Sequence, residues 1–479
     1  MNRHSINLFA SQALLAAGKL LLLLALSPLS SRAQSTDQRI GNYAGILQGV
    51  GLPLYFRISG DSLSGYQADF NSPAQKALGL KCSKVTIRGD SLTIEAVAFA
   101  AVYRGKYRTD RDSIEGQWQQ NGQTLALSLK KMRRPQTPAP PFPYLADSVE
   151  YNSSDGSVHL AATLTRPFAQ KKYPVAILIT GSGLQDRDET IFEHRPFAVI
   201  ADYLTRQGLA VLRVDDRTKG LSTGDVTSAT SADYAGDVIT SIDYLKTRQD
   251  IDTTRIGVIG HSEGGLIGPI VYTQWPHLRF IVLLAGPGLS GADISFRQQT
   301  DPIKSLGQAT YEAWQQLVRA KLTILNENYG RPDSLTIRQL KTSFAQWKDS
   351  LPDSIATLLH ANTATPDAYV QQESINFRPW LRYFYKTDPA TFLRQVHCPV
   401  LALAGAKDQQ VDPAENIPVI QAALRAGGNT TFTSHVFPDL NHLFQHCTTG
   451  GFSEYAIIEE SFAPEVLKTM EEWVHQQIR

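Results

Sequence analysis

Ile256-Gly257-Val258-Ile259-Gly260-His261-Ser262-Glu263-Gly264-Gly265-Leu266-Ile267 is the stretch on which the fold of this chain turns. Its first four residues form an apolar run of the kind carried by strands buried on both faces. Gly260, Ser262 and Gly264 then fit G-x-S-x-G, and a helix-compatible segment follows from Gly265. The pattern alone is weak, because glycine and serine are common residues. Its context strengthens it: strand, sharp turn and helix in that order expose a serine hydroxyl at the top of a sheet. Glycines flank the serine because side chains there would collide with strand and helix. Ser262 is therefore the expected nucleophile, and the Glu263 N–H an expected donor to a developing oxyanion.

Working outward, further apolar runs occur at 175–179, 209–214, 280–284 and 400–404. Between them lie helical periodicities: Phe197, Ile200 and Leu204 lead to a stop at Gly208, and Tyr234, Val238, Ile242 and Leu245 share a face. This alternation predicts a mostly parallel sheet flanked by helices, an α/β catalytic region over 144–479. A terminal helix opens at Pro464. Residues 288–395 interrupt the alternation with helical spacing alone, as in Trp314, Leu317 and Leu322. They are expected to form a cap insertion over the sheet edge where open α/β sheets bind ligands.

A serine hydroxyl needs a base, and in this fold the order is nucleophile, acid, histidine. Asp408 follows the run 400–404 in a small-residue turn and is the preferred acid, with Asp412 and Asp439 as alternatives. His442 lies in a loop between the β-like run 431–437 and the terminal helix, where the triad requires its histidine. His435 falls inside the run, His446 lies beyond the loop, and His261 reads as a packing residue beside the nucleophile. The second oxyanion donor is expected at Ser182 or Gly183, in the glycine-rich turn after 175–179; a plain turn is the competing reading. Asp186, Arg187, Asp188 and Glu189 follow that turn and either order it, by pairing with Arg213 or Arg217, or are simply solvated. The aromatic stretch from Pro379 to Phe384 suits an acyl pocket or the core of the cap.

Upstream, residues 35–133 read as a small all-β domain. Its short alternating segments are separated by Gly60-Asp61, Gly89-Asp90 and Asn121-Gly122. "GDSL" occurs at Gly60 and again at Gly89, and is read as hairpin turns because no helix pattern follows. A Pro-rich linker, 134–143, forbids helix and central strand. Arg3 and His4 precede an apolar stretch ended by Pro28, and small residues reach Ala33, so 1–33 reads as a signal peptide cleaved near Ala33. Lys19 interrupts that stretch, which is short for a bilayer core of about 30 Å. The mature chain is expected to be exported, soluble and without a membrane span. The 479 residues carry 46 basic and 45 acidic side chains, a net charge of +1. That balance gives no electrostatic footprint for nucleic acid. Cys82, Cys398 and Cys447 show no metal-ligand spacing and read as free thiols, although Cys398 and Cys447 share a domain.

The stretches "TGSGLQDRDET" from Thr180, "LRVDDRTKGLSTGD" from Leu212, "GHSEGG" from Gly260, "AGAKDQQVDPAEN" from Ala404 and "LNHLF" from Leu440 resemble bacterial α/β-hydrolases. The likeness is to the EstD-like esterase and serine aminopeptidase S33-like group, whose members also carry a β domain in front. Thr218 and Lys219 stand where many members have glycine. The resemblance implies an α/β-hydrolase fold, hydrolysis of a small-molecule ester, and neither cofactor nor metal. A peptidase, a thioesterase or acyltransferase, and a non-catalytic binding protein on the same scaffold are the rival readings. Oligomeric state is left open by the sequence.

Overall fold

The computed structural model describes residues 37–75, 77–168 and 172–479; the expected signal peptide at 1–33 lies outside them. Among the described residues, no helix is long and apolar enough to cross a membrane. The strands form two sheets, one of nine strands and one of eight.

The nine-stranded sheet runs from Gly41 to Lys131 and is antiparallel throughout. Its alternating sequence buries one face, with Phe56, Tyr103, Ile114, Trp118 and Leu127 at its centre. Phe70 and Trp118 come from strands that are not neighbours, yet their rings meet at 5.4 Å, so the sheet curls around its own core. Gly89-Asp90 and Asn121-Gly122 occupy tight turns, whereas Gly60-Asp61 closes the strand Leu52–Asp61 just before its turn. No helix follows either "GDSL", in keeping with the hairpin reading.

The eight-stranded sheet has the spatial order Leu145–Asn152, His159–Arg166, Ala210–Val214, Tyr173–Ile179, Ile251–His261, Ile281–Leu284, Val400–Gly405 and Phe432–Phe437. The second strand pairs antiparallel with both of its neighbours, and every later pair is parallel. Successive side chains point to opposite faces, so Val175, Ile177 and Ile179 enter one core and Ala176 and Leu178 the other. Helices Ser231–Lys246, Glu263–Gln274 and Pro413–Ala426 cover the first face. Pro196–Arg206 and Pro464–Gln477 cover the second. This is the α/β-hydrolase architecture. Helices from Gly291–Thr300 to Pro379–Lys386 leave the sheet between its sixth and seventh strands and pack around their own cores, one centred on Phe344 and Trp347, whereas Ala390 and Leu393 return to the first core of the sheet.

The two sheets are joined through Arg134, in the proline-rich stretch. Its buried guanidinium donates to the carbonyl oxygens of Phe192 (2.9 Å), Ile458 (3.0 Å) and Ala456 (3.1 Å). Gln136 adds a bond to the Phe462 carbonyl at 2.6 Å and accepts from the Ser461 N–H at 2.6 Å. Around these bonds Tyr55, Met132, Phe192 and Ala456 form a small apolar contact. Arg134→Met keeps the stem but strands three carbonyls, which should cost about 3 kcal/mol. Urea denaturation followed by tryptophan fluorescence should show that loss; an unchanged midpoint would mean that the joint carries no stability.

Candidate active site

Ser262 sits where the strand Ile251–His261 meets the helix Glu263–Gln274, with φ 52° and ψ −118°. A serine is strained there, and its surroundings must hold it. Its N–H donates to Leu284 O at 2.8 Å and its carbonyl accepts from the Gly265 N–H at 2.8 Å. The flanking glycines have a measurable reason. A Cβ on Gly260 would stand 2.0 Å from Gly264 O, and one on Gly264 would stand 2.2 Å from Ile179 O. The Ser262 side chain is half-buried at the mouth of this turn.

Asp408 lies just past the strand Val400–Gly405. Its Oδ1 accepts the N–H groups of Gln410 (2.7 Å) and Val411 (2.9 Å), which leaves Oδ2 for His442 Nδ1 at 2.7 Å. The two side chains are 0% and 4% exposed, so the pair is shielded from water. The histidine loop is fixed by Asn441, whose Oδ1 accepts from the Leu443 and Gln445 N–H groups at 3.0 Å each. The other acids go elsewhere: Asp412 caps the helix Pro413–Ala426, and Asp439 pairs with Lys407 at the surface. His435 stays on its strand beside Phe437, and His446 pairs with Glu460 and Glu465.

Ser262, His442 and Ser182 share the walls of a cavity of about 190 Å³, together with Gln410, Phe452 and Tyr455. The Gly181 N–H is taken by Glu189 Oε1 at 2.6 Å, and Ser182, the next residue in the turn, lines this space. Gly183 instead lines the neighbouring cavities. Glu263 presents its N–H at the start of the helix and turns its side chain away. Its Oε1 accepts from the Ser231 hydroxyl at 2.7 Å and from Trp380 Nε1 at 2.8 Å. Burial nevertheless pushes the Glu263 carboxyl above the usual range. Trp380 thus links the cap to the residue after the serine, a role its sequence did not distinguish from packing.

The charged segment after the turn is ordered residue by residue. Asp186 Oδ1 accepts from the Asp188 and Thr190 amides at 3.0 Å, and Arg187 pairs with Asp215 at 2.6 Å. Asp188 pairs with Arg213, whereas Arg217 pairs with Asp237. Glu189 Oε1 also meets His261 Nδ1 at 2.9 Å, and His261 Nε2 meets the backbone oxygen of His442 at 3.0 Å. Both of those oxygens are acceptors, so the ring donates from both nitrogens as an imidazolium. Burial is the largest single influence and lowers the affinity of His261 for that proton, but the Glu189 carboxylate, the His442 carbonyl and the Asp408 charge together outweigh it and leave the group above its ordinary value. Glu189 is the site residue that sequence reasoning left undetermined; nothing in a run of four charged residues says which one turns inward.

A group with a raised folded-state value stabilises fully below its unfolded value, about pH 6.5 for histidine, and loses that contribution as pH rises through the folded value. Unfolding free energies of the wild type and Glu189→Gln should therefore differ most just below pH 6.5, where Glu189 is still ionised, and converge as pH rises through the folded-state value of His261. A constant difference would contradict the charged state of His261.

Comparison with known proteins adds lineage. A family model described as X-Pro dipeptidyl-peptidase (S15 family) matches residues 155–438. The chain is similar to Esterase EstD of Thermotoga maritima, 24% identical over 348 residues that cover 71% of this chain and 72% of that protein. Among solved structures, it is similar to a Pyrococcus furiosus esterase at 16% identity and a TM-score of 0.43, covering 73% of this chain and 99% of that one. An α/β hydrolase from Penicillium sp. sh18 is similar at 15% identity and a TM-score of 0.41, covering 70% and 99%.

Proposed function

The chain belongs to the X-Pro dipeptidyl-peptidase (S15) family, and from that premise we propose that it is a serine hydrolase cleaving carboxylic esters through an acyl-enzyme on Ser262. The observation that carries this reading is the buried 2.7 Å contact of His442 with Asp408, set on the same cavity as the strained Ser262. Asp408 fixes the tautomer that leaves His442 Nε2 free to take the serine proton. Ser262 Oγ then attacks the ester carbonyl, and the oxyanion is received by the N–H groups of Glu263 and Ser182. The protonated His442 gives its proton to the departing alcohol. Water, deprotonated by the same ring, hydrolyses the acyl-enzyme.

Likeness to Esterase EstD supports esters as the substrate class. In this reading the all-β domain spans 35–133, the linker 134–143 and the catalytic domain 144–479 with its cap at 288–395. The segment 1–33 directs export. A second reading, release of dipeptides from X-Pro termini by the same triad, is favoured by the description of the matching family.

Purified protein should be assayed against p-nitrophenyl esters of graded acyl length and against X-Pro anilides. Ester turnover should dominate. Ser262→Ala should abolish it and Asp408→Asn should lower kcat by on the order of 10³–10⁴-fold, since the wrong tautomer is then favoured. Turnover confined to anilides would replace the esterase reading with the peptidase one, and undiminished activity in Ser262→Ala would remove both.

A further inference from the structure

Beside the nucleophile cavity, between the cap and the loops of the sheet, lies a second cleft of about 690 Å³. Gly183, next to the expected oxyanion donor Ser182, forms one wall, and Trp380 of the cap helix Pro379–Lys386 forms another. Trp380 Nε1 bonds to the Glu263 carboxylate, so one wall of the cleft is tied to the residue that follows Ser262, and Gly183 follows Ser182 of the nucleophile cavity. Leu184 and Val226 give it an apolar floor.

Lys219 and Arg378 both line this cleft, one from the sheet side and one from the cap. Neither side chain has a carboxylate partner among the described residues. The neighbouring cation, Arg217, is paired with Asp237 at 2.8 Å. The acids of the same loops are engaged as well: Asp216 accepts from Thr180 Oγ1 (2.9 Å) and the Gln185 amide (2.7 Å), and Asp225 accepts from Thr227 Oγ1 at 2.6 Å. The chain carries a net charge of only +1, so two cations without a carboxylate partner on the walls of one concave, partly apolar site are a local feature. Such a site concentrates positive potential and draws anionic ligands into it.

We propose that this cleft binds a carboxylate carried by the substrate, so that the preferred ester is an anionic one. An apolar chain lies along Trp380, Leu184 and Val226, and its carboxylate is held between Lys219 and Arg378. The proposal rests on the ester-hydrolase reading for the bond that is broken, but the binding of the anion is separable from it. The same potential disfavours a substrate that presents a free ammonium group at this end of the site.

Ser262→Ala, which binds without turnover, should be titrated calorimetrically with two matched pairs. Monophenyl adipate against methyl phenyl adipate places the charge on the acyl side. 4-(Butyryloxy)benzoate against its methyl ester places it on the alcohol side. In one pair the anionic member should bind about ten- to a hundred-fold tighter, as expected for charge-assisted hydrogen bonds. That ratio should shrink in high salt and collapse in Lys219→Met and Arg378→Gln, while Arg378→Lys keeps part of it. Thermal midpoints of the variants check that each is folded. Equal binding within both pairs, or a preference indifferent to both substitutions, would overturn the proposal. Wild-type turnover of the same four esters separates the two readings. Cleavage without charge preference removes the subsite and keeps the esterase; tight anion binding without cleavage does the reverse.

Discussion

His261 is the residue through which the site is tied together. Its ring bonds on one side to Glu189, which also holds the Gly181 amide, and on the other to the backbone of His442. One buried imidazolium therefore spans the serine turn, the oxyanion turn and the histidine loop, three segments far apart in the chain. A charge placed in so dry a setting is tolerable only with its counter-ion and full hydrogen bonding, and both are present.

Around that centre, the cap and the nine-stranded sheet each bond to or pack against residues of the site's own loops. The cap bonds through Trp380 to Glu263, the residue that follows Ser262. The nine-stranded sheet reaches the same loops through Phe192, whose ring lies edge-on to Tyr55 at 5.6 Å and to Phe452 at 5.7 Å. Phe452 and Tyr455 in turn line the space in front of Ser262. Phe192 and Glu193 both have positive φ, and Glu193 is bonded by Tyr55, so the leading sheet holds a backbone that would not keep this form unaided. The leading sheet is thus a buttress for the loops that shape the site.

Much of this was legible beforehand, for physical reasons. Gly260 and Gly264 stand in the sequence because Cβ atoms there would strike backbone, so the serine turn announces itself. Continuous apolar runs marked the strands buried on both faces. The strand Leu145–Asn152 did not stand out, since at the sheet edge it alternates with exposed polar residues. Asp408 could be preferred to Asp412 and Asp439 because it follows a strand end, whereas Ser182 and Gly183 share one turn that no local pattern divides. Glu189, Arg134 and Trp380 act through partners 58 to 324 residues away or across the turn of the fold, a relation no local pattern encodes. The apolar spacing of the cap likewise revealed helices but not the cleft they help to enclose.

The central claim is that Ser262 is made nucleophilic by His442 within this tied set of loops. Its most direct test is covalent labelling with an alkyl fluorophosphonate, followed by peptide mass spectrometry of the wild type and His442→Ala. The account predicts one modified residue, Ser262, and a rate of labelling that falls by at least about a thousand-fold without the histidine. Labelling at another serine, or labelling of Ser262 that is indifferent to His442, would contradict it.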